Sequence, residues 1–184
     1  MPRPFTLFAL TAALTACQSA YFADGRPNEN STLLEVPVGS TVVLKQELIV
    51  PAYQQDVFLQ KGKAFDFSTV NKWLPYCAFS LHAQTNKPAV MEPDTFVVRK
   101  VSRQLLFQLA GRPVQVAGIT GGSDGFQNWR VNAAVMELSS GRQPDVVKLT
   151  CAAWGLPPDA TYVALAAIRG ALGNLASLQL ADGR

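Results

Sequence analysis

From Thr41 onward apolar and polar residues alternate in short runs, and the alternation predicts strands. Thr41 to Val50 sets Val42, Leu44, Leu48 and Val50 on one face and Lys45 and Glu47 on the other. Gln46 interrupts the inner face, and Pro51 ends the run. Val57 and Leu59 lie in a second short run, closed by a Lys61-Gly62-Lys63 turn. Tyr76 to His82 is a third, with Cys77, Phe79 and Leu81 on one parity. Thr95 to Val101 and Gln104 to Leu109 predict a fourth and fifth strand, and Gly111 to Gly125 is loop-rich. Val131 to Leu138 and Val146 to Cys151 follow, joined by a hairpin-type Ser139-Ser140-Gly141-Arg142 connection.

The period changes near the end. Thr161 stands as an N-cap, and Leu165, Ile168 and Leu172 share one helical face within Tyr162 to Leu172. Arg169 falls in the last turn, Gly173-Asn174 supplies a left-handed stop, and Leu178 and Leu180 form a short closing strand. Together these predict a mainly β domain, a single β-sandwich or small barrel of about seven or eight short strands with one C-terminal helix.

The first residues follow another pattern. Arg3 makes a short basic start, and Phe5 to Ala16 is an uncharged, mostly apolar run. At about twelve residues it falls short of the roughly twenty that span a bilayer, but it suits the apolar core of a signal peptide. It ends in Leu14-Thr15-Ala16-Cys17, which resembles the lipobox of bacterial lipoproteins. That resemblance implies cleavage before Cys17 and acylation of Cys17 on sulfur and on the new amine, three chains in all. Two or more chains hold a protein stably, at about 0.8 kcal/mol per buried methylene. Gln18 stands where Asp usually marks inner-membrane retention in these lipoproteins, which implies the outer membrane, with the domain facing the periplasm. The central region also resembles a group of small proteobacterial lipoproteins that carries no transferable activity. The residues concerned are Leu44-Lys45-Gln46-Glu47-Leu48, Pro75-Tyr76-Cys77-Ala78-Phe79, Cys151 and Ile168-Arg169-Gly170-Ala171-Leu172-Gly173.

The expected organisation is a signal peptide over 1–16, a lipid anchor and flexible tether over 17–39, and a globular domain over 40–184. The tether is rich in Asn, Gly, Ser and Pro, and some twenty flexible residues would span roughly 25 Å. Without Arg3 the chain keeps 15 basic residues (16 less one) against 13 acidic ones, so no polyanion-binding signature remains and nucleic acid is not an expected partner. With Cys17 assigned to lipid, Cys77 and Cys151 are left, an even pair that predicts one disulfide in an oxidising compartment.

Candidate chemistry is sparse. His82, the single histidine, is expected on the outer face at a strand end, without a nucleophile elbow. Glu92 and Asp94 flank Pro93 and could lie about 7 Å apart as a carboxylate pair, although the stretch also reads as an ordinary turn. Gly118 to Gly125 lacks the Gly-Lys-Ser/Thr that a phosphate loop needs, so Gly121, Gly122, Ser123, Asp124 and Gly125 are read as a contact loop. Arg99, Lys100 and Arg103 form a basic cluster that alternation splits between faces. Trp73, Tyr76, Trp129 and Trp154 either plug the ends of the β core or mark a binding site. No metal site or cofactor is implied. The reading that follows is a non-catalytic envelope lipoprotein, anchored in the membrane and binding another envelope protein or component. A carrier of a small apolar ligand is the alternative, and a hydrolase using His82 or Glu92 and Asp94 comes third.

Overall fold

The structure, a computed structural model, describes residues 19–109, 112–114, 130–156 and 160–181. In chain order the strands are β1 (Thr41–Leu44), β2 (Leu48–Val50), β3 (Asp56–Gln60), β4 (Lys63–Phe65), β5 (Tyr76–Leu81), β6 (Ala89–Met91), β7 (Asp94–Leu109), β8 (Arg112–Val114), β9 (Arg130–Ser139), β10 (Val146–Ala152) and β11 (Trp154–Gly155). Helix α1 (Leu165–Leu172) and β12 (Ala176–Gln179) complete it. Eight strands run antiparallel in the order β12-β1-β7-β9-β10-β5-β3-β4, while β8 and β11 attach to β7 and β9. This sheet curls into a half-barrel, and with the C-terminal helix it makes the mainly β architecture expected from the sequence. Among the described residues, no helix is long and apolar enough to cross a membrane.

The sheet is buried on both faces at its centre. Along β5 every residue is buried. Cys77, Phe79 and Leu81 enter the main core with Leu44, Phe96, Met136, Leu149 and the apolar face of α1. Tyr76 and Ala78 enter a second core with Phe58, Val70, Val131 and Val135. The segment after β4 covers this second face, held there by Gln60. Its Nε2 donates to the Asn71 carbonyl at 2.8 Å and its Oε1 accepts the Asn71 N–H at 3.1 Å.

Several sequence expectations need correction. The run from Thr41 to Val50 is two strands in two sheets, because the chain leaves β1 after Lys45 N–H bonds the Leu175 carbonyl and re-pairs as β2 with β6. The break falls at Gln46, where the inner face was interrupted. The expected fourth and fifth strands are one long strand, β7, bulged between Val98 and Lys100. A second bulge, between Val146 and Lys148, breaks the alternation of β10 and puts Val146 in the core together with Leu149 and Cys151. Helix α1 begins at Leu165, not beside Thr161, and Ala164 makes no side-chain cap.

The expected tether is the largest departure. Residues 1–16, the expected signal peptide, and Cys17 lie outside the described residues, but from Ala20 the segment packs on the domain. Leu34 and Val36 are buried in the main core. Arg103 holds Glu35 at 3.0 Å and the Thr32 carbonyl at 2.9 Å while stacking on Tyr162. Glu29 pairs with Arg169, and its carbonyl accepts the Ala166 N–H at 2.9 Å. That bond satisfies one of the orphan donors in the first helical turn, so the arm itself caps α1.

Candidate functional site

Cys77 and Cys151 sit directly opposite each other on β5 and β10, both fully buried, and are joined as a disulfide. A half-open cleft of about 350 Å³ lies at the end of these strands, lined by Leu81, His82, Thr85, Val90, Arg142 and Asp145 among others. Its floor is fixed by backbone bonding. The His82 N–H donates to the Asp145 carbonyl at 2.7 Å, and Gln55 Nε2 donates to the carbonyls of Leu81 and His82 at 2.6 and 3.1 Å.

One wall depends on Asp94. Its carboxylate accepts from Ser140 Oγ at 2.5 Å, from the Thr95 N–H at 2.8 Å and from Gln143 Nε2 at 3.2 Å, with Arg142 at 3.8 Å. Gln143 in turn pairs like a backbone with Glu92, both bonds at 2.8 Å. The Asp94 side chain is only 8% exposed, whereas that of Glu92 is 68% exposed and only 3.9 Å from Arg142. The expected carboxylate pair is thus divided between a structural clamp and a solvated group. Partial burial works to raise the Asp94 pKa, but the hydrogen bonds from Ser140, Thr95 and Gln143 and the Arg142 charge outweigh it, leaving it below the ordinary 3.8. A lowered folded-state pKa adds stability above the unfolded value that disappears as pH falls through the folded one. Asp94→Asn is expected to lower the unfolding free energy by about 1 kcal/mol at pH 6. Urea titrations should show that gap closing below pH 3.8; a gap constant with pH would refute the clamp.

Beside the cleft, β2 and β6 face Ile49 and Val90 outward as a cross-strand pair, both more than half exposed. Tyr53 follows three residues after β2, its N–H bonded at 2.8 Å to the carbonyl of Thr85, which lines the cleft. It has φ 61° and is 73% exposed. A left-handed conformation at a bulky residue costs roughly 1–2 kcal/mol, and functional sites are where such strain concentrates. Neither feature stood out in the sequence. Leu48-Ile49-Val50 and Ala89-Val90-Met91 are uninterrupted apolar runs, where the outward position is normally polar. That anomaly was the available signal for the pair, while nothing in Pro51-Ala52-Tyr53-Gln54 marks the strained tyrosine.

The remaining candidates are placed as follows. His82 is exposed on the cleft rim. Lys100 pairs with Glu137 at 2.9 Å across β7 and β9, Arg103 fastens the arm, and Arg99 is exposed, so the basic cluster is dispersed. Trp73 and Trp154 meet edge-on at 5.8 Å, and Lys72 lies 4.2 Å from the Phe67 ring. Burial pushes the Tyr76 hydroxyl up to about 12, with a Trp154 hydrogen bond pulling the other way. Gly121, Gly122, Ser123, Asp124, Gly125 and Trp129 lie outside the described residues. Among the described residues, no group of three or more His, Cys, Asp or Glu is placed to hold a metal ion. Comparison with protein-family models, with curated proteins and with solved structures finds no match.

Proposed function

We propose that this chain is a non-catalytic envelope lipoprotein, anchored through acylated Cys17, whose β domain binds another envelope protein at the surface formed by Ile49, Tyr53, Val90 and the adjoining cleft. The strained, exposed Tyr53 carries the reading. An aromatic side chain held out at a cost in backbone energy, beside an outward apolar pair and a polar-rimmed hollow, has the make-up of an interface anchor. The anchoring part rests on the lipobox resemblance. The carrier alternative needs an apolar cavity within the fold. Leu59, Phe79, Phe96, Met136 and Leu149 instead fill the main core, and the 350 Å³ hollow opens on the surface with mixed lining.

The test is a pull-down from envelope extract with the wild type and Cys17→Ala, after fractionation establishes that only the former partitions to membrane. One specific protein should be retained by both forms. Val90→Asp and Tyr53→Gly should each weaken that retention by about tenfold or more, the loss of a hot-spot contact of some 1.4 kcal/mol or above. Tyr53→Gly also relieves the left-handed strain, so its stability should be unchanged or higher. Retention indifferent to both substitutions would refute this surface, and no retained protein would refute the binding reading.

A further inference from the structure

We infer that the loop from Ala20 to Arg26 is a bilayer-contacting face that lays Tyr21 and Phe22 among the lipid headgroups. The inference rests on the acylation of Cys17 under the proposed function, and the geometry then supplies the rest. The arm is pinned to the domain immediately after the anchor. The Ser19 carbonyl accepts from Asn28 Nδ2 at 3.1 Å, and the Ala20 carbonyl accepts the Asn28 N–H at 2.9 Å. Ala20 itself packs on the main core. Only Gln18 and Ser19 therefore separate the acylated residue from the body of the protein. At about 3.5 Å per residue, this linker lets Ala20 rise no more than roughly 10 Å above Cys17. A headgroup layer is itself roughly 5–8 Å deep. A domain on so short a leash cannot stand clear of the surface, and the residues flanking Ala20 meet it first.

Those residues suit the interface. Tyr21 and Phe22 are each 51% exposed. A bridge between Tyr21 and Pro27, with the Phe22 N–H donating to the Arg26 carbonyl at 2.9 Å, holds them on a tight loop. The Arg26 guanidinium lies 5.9 Å from the Phe22 ring. Tyrosine, with its polar hydroxyl, gathers at the headgroup level, phenylalanine supplies apolar area to bury there, and an arginine can bury its stem while keeping its charge in water. Asp24 neutralises Arg26 at 2.6 Å, so the loop brings no net charge and the contact should depend little on salt or on anionic lipid. A protein partner could also cover two aromatic rings. The short linker decides for the bilayer, because it delivers the loop there whatever else is present.

The test uses the acylated full-length product in phosphatidylethanolamine–phosphatidylglycerol vesicles. A photo-reactive benzoyl-phenylalanine replaces Phe22 in one sample and Ser68 in another. Ser68 is exposed on the segment that covers the opposite face of the sheet. Mass spectrometry of the N-terminal peptide comes first. If Cys17 bears no acyl chains, the anchoring reading fails and this inference with it. With acylation established, irradiation should give phospholipid adducts from position 22 and none above background from position 68, at low and high salt alike. In acylated protein, equal adducts from both positions, no lipid adduct from position 22, or an adduct to protein in whole envelopes would overturn the inference while leaving the anchor intact.

Discussion

Replacing Cys77 and Cys151 together with alanine is expected to lower the unfolding free energy by about 4 kcal/mol. The bond joins residues 74 positions apart, and the loop it closes contains β6, β7, β8 and β9. Without it the unfolded chain regains that loop's freedom, while the folded chain keeps its strand pairing. Domains of this size lose roughly 2–4 °C of Tm per kcal/mol, so calorimetry should find the variant melting roughly 8–16 °C lower. Against an ordinary stability of about 5–15 kcal/mol, the loss is large enough to leave a sizeable unfolded fraction on mild heating. Both sulfurs are fully buried, so dithiothreitol should reduce the native protein only as fast as it opens. A Tm change below about 3 °C would mean that the denatured chain is already confined by residual structure and that the entropy argument fails here.

The disulfide was legible because parity and pairing coincide. Cys77 shares a face with Phe79 and Leu81, and Cys151 shares one with Leu149, so two central strands deliver both sulfurs to one core. The same local logic placed Val42, Leu44, Leu48 and Val50 inward, and it held even though the strand is divided between two sheets. It failed where long-range contacts decide. The stretch from Asn28 to Gly39 has the composition of a loop, and composition cannot register that Glu29 meets Arg169 or that Glu35 meets Arg103. The helix start was misplaced for the same reason. A backbone carbonyl from the arm does the capping, and a carbonyl leaves no mark in sequence. Three-residue strands such as β4 and β6 are too short to show a period, and the polar Ser102-Arg103 step in the middle of β7 disguised one strand as two. In the cleft, His82 was readable as an exposed strand-end residue, but its neighbours Arg142 and Asp145 come from the distant β9–β10 connection, which the pairing of β5 with β10 brings beside it.

Gly173→Ala should be about as damaging as loss of the disulfide, by a mechanism confined to one contact. Gly173 ends α1 with φ 54° and ψ −128°, a conformation that strains a residue with a Cβ by about 1–3 kcal/mol. There is also no room. A Cβ at this position would lie 2.4 Å from the Gly62 Cα and 2.8 Å from its nitrogen. Gly62 cannot yield freely, because it shares the two-residue β3–β4 turn with Lys61, both at positive φ, and its N–H donates to the Ala171 carbonyl at 3.1 Å. Such turns need positive φ at both central positions, and the bond to Ala171 satisfies one of the last helical carbonyls. Relieving the clash therefore means shifting either the hairpin or the helix end, at about 1–3 kcal/mol for forced overpacking. The sum, about 4 kcal/mol at the middle of both ranges, corresponds to a Tm roughly 8–16 °C lower. Gly170→Ala, on the exposed side of the same helix with nothing within 4 Å of its Cβ, should instead raise stability by about 0.5–1 kcal/mol. Opposite signs at two glycines three residues apart would locate the effect in the Gly62 contact. Equal, small changes in both would show that the turn and the helix end move apart at little cost, and that the close approach of Gly62 and Gly173 does not fix the helix on the sheet.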